Sequence, residues 1–403
     1  MVRHWLRDPS FRKPATVVAL TLLVVLGGAL GLLIGGGEDG TPKAITKPVP
    51  RPTARTGPGA VGGPATDPTE AALARMSLQR KVAQVFLWGF TGQGADAPVL
   101  GRLRSLDLGG VVVSRDNYAD QGQLRGLTGQ LRSAAARARH VSPWILAAQQ
   151  GGEFNALPGL PPATAPADLD GSSAGAREAT AAARALRALG VNGVLGPVLD
   201  VGADDNVAVG ARAFSDDPAE VASYAQSTIA AYRRGRVFSA PAHFPGLGSA
   251  SQAAEQGPAS VGLSARALAR RDVVPFQTAV DEGAPGIVVS NGLYVYDDFV
   301  TPASLSRSVM VGVLRGQLDF RGLALTDDLT DPAVTALEQP PRAAVLALKA
   351  GADMLFVSGP AADQDAAYKA VLRAVQKGDI PRGRLDEAVK RILSVKRDYG
   401  LRR

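Results

Sequence analysis

The chain contains no cysteine and only three histidines among its 403 residues. The absence of cysteine excludes disulfides, thiolate zinc sites, a cysteine nucleophile and a lipoprotein anchor. His4, His140 and His243 are too few and too widely spaced for a histidine-rich metal site. Because the Asp and Asn residues are similarly scattered, the sequence implies neither a metal ion nor an organic cofactor.

The chain also lacks a large excess of either positive or negative residues. The formal net charge is only +7. Some of that charge belongs to a basic group at the N-terminus, formed by Arg3, Arg7, Arg12 and Lys13. This balance does not indicate a nucleic-acid partner.

Charged residues are absent from residues 15–34. At ~1.5 Å per residue, a helix of this length spans the ~30 Å hydrocarbon core of a bilayer. The basic residues before it predict a cytoplasmic N-terminus. We therefore expect a cytoplasmic basic tail at 1–14 and a single-pass signal anchor at 15–34, which would hold the rest of the chain on the outer side of the cell membrane. A cleaved signal peptide is the alternative, and it too would export the remainder.

Residues 35–68 lack apolar periodicity and are rich in Gly, Pro and Thr. Such a segment cannot bury enough apolar surface to offset the entropy lost on ordering. We expect a disordered, partly extended linker that separates the membrane from a folded domain at 69–403.

Short β-branched runs alternate with Ala-rich amphipathic segments from about residue 70 onward. Apolar strands alternating with helices are typical of a parallel sheet, and eight such units predict an α/β fold of the (β/α)8 barrel type. An open doubly wound sheet is the alternative, but no Gly-x-Gly-x-x-Gly motif follows the first strand. The predicted strands are 82–88, 110–114, 145–149, 194–198, 237–242, 286–290, 323–326 and 354–357. The predicted helices include 174–189, 219–233, 264–281, 304–318, 342–350 and 385–396.

Polar residues follow most of the predicted strands. In a (β/α)8 barrel, functional residues lie where strands end and the next loops begin. One or two of these residues could cap the following helix, but their number favours a polar pocket at the barrel mouth. The strand-end residues are Asn117, Gln149, Gln150, Asp200, Arg212, His243, Asn291, Asp327, Asp328 and Ser358.

A series of short motifs runs through the chain in a characteristic order. They include Arg-Ala-Phe-Ser-Asp-Asp-Pro at 212–218, His-Phe-Pro-Gly at 243–246 and Thr-Asp-Asp-Leu at 326–329. Further motifs lie at 76–84, 108–112, 190–192, 197–201, 302–306, 320–322 and 350–353. Together they resemble the N-terminal domain of family 3 glycoside hydrolases, particularly the single-domain bacterial β-N-acetylhexosaminidases, over nearly the whole region from Leu73 to Leu401.

The resemblance implies a retaining glycosidase with Asp327 as its nucleophile. A carboxylate at the tip of the seventh strand can trap the oxocarbenium-like species covalently. Arg212 and His243 fall where the family holds sugar hydroxyls, and a guanidinium fork suits that task. From the residues alone, Asp327 could instead cap a helix, and Arg212 could form a structural ion pair. Asp328 is the better candidate for a cap.

Four more strand-end residues are candidates for binding the sugar. Gln150 and Asn117 follow the third and second strands, and Asn291 stands where the family has a histidine. Asp200 follows the fourth strand and could equally stiffen the rim by bonding loop backbone. Carbohydrate is therefore the expected ligand, with no metal at the site.

The chain departs from the family pattern at several positions close to the expected chemistry. Ala148 and Ala242 stand where the family has a sugar-binding Asp and Lys, and Ala156 replaces an Arg. In the loop after the fifth strand, Ala253 and Glu255 replace the Asp and His of the family's acid/base dyad.

These departures leave two functions open. If Glu255 acts as the acid/base, the chain hydrolyses β-linked sugars of the cell envelope, of the N-acetylglucosamine type or related. If Glu255 is a solvated loop charge, the chain is an inactive relative that binds an envelope glycan or a protein partner. We expect an enzyme, with Asp327 and Glu255 as its catalytic pair.

Overall fold

The computed structural model of this protein describes residues 67–203 and 205–401. The predicted cytoplasmic tail (1–14), the signal anchor (15–34) and residues 35–66 of the predicted linker lie outside the described residues. Within the described ranges, no helix has both the length and the apolar character needed to span a bilayer. The first helix of the described residues begins at Pro68 and is capped by Asp67, whose side chain accepts a hydrogen bond from the Thr69 backbone N–H at 2.9 Å.

Short parallel strands form the centre of the domain. They are β1 (Phe86–Gly89), β2 (Gly110–Val113), β3 (Trp144–Ala147), β4 (Gly193–Val198), β5 (Phe238–Ala242), β6 (Ser260–Val261), β7 (Gly286–Val289), β8 (Leu293–Tyr294), β9 (Leu323–Thr326) and β10 (Leu355–Val357). Six of them form a curled parallel sheet in the order β10–β1–β2–β3–β4–β5. Strands β7 and β9 form a second parallel pair, and β6 and β8 a third. The predicted α/β fold with a parallel sheet is confirmed.

Backbone hydrogen bonds also lie at both gaps between the six-stranded sheet and the β7–β9 pair. Phe244, just after β5, donates to Val288 O and accepts from Ser290 N, both at 2.8 Å. On the other side, Met354 accepts from Thr326 N at 3.0 Å and donates to Ala324 O at 3.1 Å. Each gap therefore contains one parallel bridge, Phe244 to Val289 and Leu325 to Met354.

Helices surround the strands. They are α1 (Pro68–Ala74), α2 (Leu78–Gln84), α3 (Val99–Ser105), α4 (Gln121–Arg137), α5 (Gly171–Ala188), α6 (Pro218–Arg234), α7 (Ala265–Arg270), α8 (Val273–Asp281), α9 (Pro332–Thr335), α10 (Pro340–Ala350), α11 (Ala361–Lys377) and α12 (Arg382–Asp398), with a π-helix at Ser308–Gln317. Helices that follow one another along the chain pack together, as in the pairs α5–α6 and α10–α11, and α6 also packs against α8. Because helices cover the outer face, the strands are apolar and almost fully buried along their length.

Three predicted elements were wrong in part. Residues 82–84 belong to helix α2 rather than to the first strand, because Ser77 caps that helix through the Arg80 backbone N–H. An apolar run this short cannot by itself distinguish a helix from a strand. The single helix predicted at 264–281 is divided into α7 and α8 at Arg271 and Asp272. The helix predicted at 304–318 begins later and is a π-helix.

A buried carboxylate stabilises the amino-terminal end of the sheet. Asp353, two residues before β10, is fully buried and accepts from the guanidinium groups of Arg315, Arg384 and Arg391 at 2.7 to 3.1 Å. It also accepts from the Ala324 backbone N–H of β9 at 3.1 Å. One carboxylate therefore connects two strands, the π-helix and α12.

We predict that Asp353→Asn lowers the free energy of unfolding by about 3 kcal/mol, because it leaves guanidinium groups without their buried counter-charge. The matched control is Asp319→Asn, at an exposed carboxylate that pairs with Arg321. That change should cost less than about 0.5 kcal/mol. Urea denaturation followed by tryptophan fluorescence measures both. Equal effects of the two substitutions would contradict the structural role of Asp353.

Candidate active site

A cavity of about 220 Å³ opens at the carboxyl-terminal ends of the strands. Parallel strands all end at the same side of a barrel-like sheet, so the residues that follow them converge there. The polar and small residues that line the cavity are Ala148, Gln150, Arg212, Ala242, His243, Glu255, Thr326, Asp327, Asp328 and Asp331, and the apolar ones are Leu195, Val288 and Phe356. The cavity thus combines apolar side chains with several ionisable groups.

Asp327 lies directly after β9 and points into this cavity. Its backbone N–H donates to Val289 O of β7 at 2.9 Å, which fixes the start of the loop. One carboxylate oxygen, Oδ1, accepts from the Asp328 backbone N–H at 3.0 Å. Burial raises the pKa of Asp327, and so does the negative charge of Glu255, whereas His243 opposes the shift. Asp327 therefore needs nearby positive charge to be ionised.

His243 supplies such a charge and is held by Asp200. The imidazole Nδ1 lies 2.7 Å from Oδ2 of the fully buried Asp200. Burial lowers the pKa of His243, but the charge and hydrogen bond of Asp200 and the charge of Asp327 outweigh it, so the net shift is upward. The imidazolium form is favoured between these two carboxylates, and its other nitrogen, Nε2, is not used by Asp200.

Asp200 also shapes the loop that begins with His243. Its Oδ1 accepts from the Leu247 backbone N–H at 2.6 Å. Gly246 has a φ of +129°, and a Cβ there would come within 2.5 Å of the Asp272 Cβ. A side chain at Gly248 would collide with the Val201 carbonyl. The His-Phe-Pro-Gly-Leu-Gly segment can pack this closely against its neighbours because its two glycines have no side chain.

Arg212 and Glu255 meet at the mouth of the cavity. The guanidinium Nη1 of Arg212 lies 3.5 Å from Oε1 of Glu255, and its other nitrogens donate to the carbonyls of Val209 and Ala208 at 3.1 Å. The Glu255 side chain is 58% exposed, whereas that of Arg212 is 17% exposed. Arg212 is thus fixed by its own loop and leaves one edge facing the cavity.

Asp328 and Asp331 follow Asp327 in the same loop but differ in environment. Oδ1 of Asp328 accepts from the backbone N–H groups of Thr330 and Ser358 at 2.9 and 3.1 Å, so Asp328 caps a loop rather than the helix expected from the sequence. Asp331 accepts from the Asn291 amide at 3.2 Å. Burial, with the charges of Asp327, Asp328 and Glu255, raises the pKa of Asp331 to about 9.

Most of the residues predicted from the sequence converge on this cavity. Asp327, Glu255, Arg212, His243 and Gln150 line it directly. Two further predicted residues act through others, since Asp200 binds His243 and Asn291 binds Asp331. Ala148 and Ala242, the positions at which the resemblance predicts an Asp and a Lys, are both part of the lining.

Asn117 was predicted to bind substrate, and the structure places it elsewhere. It is fully buried, and its amide donates to the carbonyls of Phe90 and Gly92 at 3.0 Å. Its carbonyl accepts from the Ser114 backbone N–H and hydroxyl at 2.9 and 3.0 Å. Because loop groups occupy both ends of the amide, Asn117 organises the loop after β2 and is not part of the cavity lining. In contrast, sequence reasoning missed Asp331, although it is the third aspartate of the Asp-Asp-Leu-Thr-Asp segment at 327–331.

A larger cavity of about 530 Å³ lies at the opposite end of the strands. Its lining comes from segments that precede β5, β7 and β9, including Arg236, Pro285 and Phe320. Loops at the amino-terminal ends of barrel strands serve stability far more than chemistry. The smaller cavity, with its converging carboxyl groups and imidazole, is therefore the candidate active site.

We predict that Asp200→Asn lowers the pKa of His243, because the substitution removes the charge that raises it. Ionised His243 stabilises the fold below its unfolded-state pKa, and this contribution is lost as pH rises through its higher folded-state pKa. The mutant should lose that pH-dependent contribution. NMR titration of the imidazole signals measures the shift, with His140→Gln identifying the other folded-domain histidine. An unchanged His243 titration in Asp200→Asn would contradict the assignment.

Comparison with known proteins places the domain in a family. Residues 77–395 match the family described as "Glycosyl hydrolase family 3 N terminal domain". An "Uncharacterized secreted glycosyl hydrolase" of Arthroderma benhamiae is 30% identical over 296 residues, which cover 71% of this chain and 83% of that protein. A "Beta-hexosaminidase" of Xanthomonas campestris pv. campestris is 30% identical over 286 residues, covering 68% and 85%, respectively.

Solved enzyme structures also resemble this domain. A glycoside hydrolase family 3 beta-N-acetylglucosaminidase from Paenibacillus sp. superposes with a TM-score of 0.77 and 28% identity, over 81% of this chain but only 63% of that chain. A beta-N-acetylhexosaminidase from Beutenbergia cavernae gives a TM-score of 0.71 and 29% identity, over 80% of this chain and 99% of that one. The resemblance predicted from the motifs is confirmed: the chain belongs to glycosyl hydrolase family 3.

Proposed function

We propose that this chain is a retaining glycosidase that removes β-linked sugars of the N-acetylhexosamine type from glycans of the cell envelope. The observation that carries the proposal is the position of Asp327 in the cavity, with the imidazole of His243 close enough to affect its charge. The names of the relatives from Xanthomonas, Paenibacillus and Beutenbergia support the sugar class.

The first chemical step requires Asp327 as an anion. Burial works against ionisation, and the positive His243, stabilised in turn by Asp200, works for it. The carboxylate would attack the anomeric carbon and form a glycosyl ester, which water then hydrolyses with net retention of configuration. A carboxylic acid must protonate the departing oxygen, and the cavity contains three other carboxyl groups, those of Glu255, Asp328 and Asp331.

The size and lining of the cavity favour a single sugar ring. Its volume of about 220 Å³ lies below the ~300–1,000 Å³ of pockets that enclose drug-sized ligands. Arg212 and Gln150 can donate to sugar hydroxyls from its wall, and Leu195 and Phe356 can contact the apolar face of the ring. We infer that the chain acts on the terminal residue of a glycan, with fewer polar contacts than its relatives because of Ala148 and Ala242.

We also infer that the strands complete an eight-stranded (β/α)8 barrel. The Phe244–Val289 and Leu325–Met354 bridges lie where the six-stranded sheet and the β7–β9 pair meet. Closure of the ring would bring the loops after β5 and β9, which contain His243 and Asp327, to one mouth.

We infer the site of action from the N-terminal sequence. The uncharged run at 15–34, preceded by Arg12 and Lys13, supports an exported domain attached to the cell membrane by a single-pass anchor, with the segment at 35–66 as a tether. The substrate would then be an envelope glycan within reach of the membrane surface.

We predict that the chain hydrolyses aryl β-N-acetylglucosaminides and that Asp327→Asn lowers kcat/KM by more than about 10³-fold, because the nucleophile is lost. The control Glu153→Gln changes an exposed carboxylate on the loop after β3, outside the cavity lining, and should leave the rate unchanged. NMR of the first-formed product should show the β-anomer. Sugar binding by the wild-type chain without turnover would instead identify a non-catalytic glycan-binding protein.

A further inference from the structure

Asp331 occupies a helix-capping position but does not cap the helix. It precedes Pro332, the first residue of α9, and its side chain makes no hydrogen bond to the first turn. An aspartate at this position ordinarily accepts from a backbone N–H of that turn. Here the carboxyl group lines the cavity that contains Asp327 instead.

A buried amide fixes the orientation of Asp331. The hydroxyl of Ser304 donates to Oδ1 of Asn291 at 2.6 Å, and both residues are fully buried. The Asn291 amide nitrogen consequently faces the other way and donates to Asp328 O at 2.7 Å and to Oδ2 of Asp331 at 3.2 Å. In the described part of the chain, no hydrogen bond reaches the second oxygen of Asp331, Oδ1. That oxygen is free to carry a proton and present it to the cavity.

Glu255 is less suited to hold a proton at the same site. Its side chain is 58% exposed, and one of its oxygens lies 3.5 Å from the Arg212 guanidinium. Contact with a cation and with water stabilises a carboxylate rather than a carboxylic acid. Asp328 is also unsuitable, because Oδ1 accepts from two backbone N–H groups and the Thr330 hydroxyl.

Building on the proposed glycosidase function, we propose that Asp331 is the acid/base of the reaction and replaces the family's dyad, whose positions in this chain are Ala253 and Glu255. As Asp327 forms its bond to the anomeric carbon, the bond from that carbon to the leaving oxygen breaks. The proton of Asp331 passes to that oxygen, so the aglycone leaves as a neutral alcohol. In the second step the Asp331 carboxylate takes a proton from water, whose oxygen attacks the anomeric carbon and releases Asp327 as a carboxylate.

The charges around Asp331 suit both steps. Burial and the negative charges of Asp327, Asp328 and Glu255 raise its pKa to about 9, against the opposing Asn291 hydrogen bond. Asp331 is therefore protonated, and able to act as an acid, before the sugar reacts. Conversion of Asp327 into a neutral ester removes one of those charges, so the pKa of Asp331 falls and the group becomes a base. His243 and Arg212 are the basic residues of the cavity that contains Asp327 and Asp331.

The test compares Asp331→Asn with the wild-type chain on two N-acetylglucosaminides that differ only in leaving group. For the phenyl glycoside, whose departing oxygen needs a proton, kcat/KM should fall about 10²–10⁴-fold. For the 2,4-dinitrophenyl glycoside, which leaves readily as an anion, kcat/KM should change by less than about 10-fold. The kcat for this substrate should fall, because hydrolysis of the glycosyl ester has lost its base, and added azide should restore kcat and give the β-glycosyl azide. Glu153→Gln is the control and should match the wild type on both substrates.

Glu255→Gln distinguishes the two candidate acids and does not depend on the folding of Asp331→Asn. We expect this exposed substitution to retain the wild-type leaving-group dependence. In Glu255→Gln, as in the wild type, kcat/KM for the phenyl glycoside should fall as pH rises and Asp331 loses its proton. If the leaving-group dependence or the azide product appeared in Glu255→Gln instead, or if Asp331→Asn affected both substrates equally, the assignment to Asp331 would be overturned. A wild-type chain that hydrolyses neither substrate would refute the proposed function itself.

Discussion

The mutual repulsion of carboxyl groups in one small, partly buried space governs the chemistry available to this protein. Asp327, Asp328, Asp331 and Glu255 line the same cavity, and the cations that face them are His243 and Arg212. Burial raises the cost of each negative charge, and each charge raises the cost of the next. When several carboxyl groups lie this close together, a proton stays on the one whose anion is stabilised least. Among the described residues, the Asp331 carboxylate accepts one hydrogen bond, from the Asn291 amide, whereas Asp327 accepts one from a backbone N–H and is also stabilised as an anion by the charge of His243.

The fold keeps these groups in place from both ends of the sheet. At the amino-terminal end, Asp353 and its arginines connect β9 and β10 with the π-helix and α12. At the carboxyl-terminal end, Asp200 fixes His243 and the glycine-containing loop behind it. The Asn291–Ser304 pair fixes the orientation of Asp331 in the same way. Positions set by buried hydrogen bonds of this kind give the short, directional contacts that general acid/base chemistry needs.

The sequence predicted the parallel architecture and most of the cavity lining for a physical reason. Apolar β-branched runs alternating with helices leave few alternatives to a parallel sheet, and the end of each strand then defines one functional side. Residues directly after a strand, such as Asp327 and His243, could be placed in this way. Residues 82–84 could not, because a short apolar run fits a helix as well as a strand.

The residues that the sequence placed less well depend on side-chain orientation. Asn117 and Asn291 both follow strands, yet one is enclosed by loop carbonyls and the other reaches Asp331. Asp331 was missed in the sequence because it lies four residues beyond Asp327, and in the structure it occupies the cap position of α9 without making the capping hydrogen bond. A position at the end of a strand identifies a residue as a candidate for the site, but the hydrogen-bond partners of its side chain determine what that residue can do.

Covalent trapping tests the central claim, that Asp327 reacts as the nucleophile of this charged cavity, most directly. A fluorinated N-acetylglucosaminyl fluoride, which slows hydrolysis of the ester more than its formation, should leave one sugar attached to the chain. Peptide mass spectrometry after acid quench should locate that sugar on Asp327 in the wild type and find none in Asp327→Asn. A label on Glu255 or Asp331, or no label while substrate is still turned over, would contradict the account.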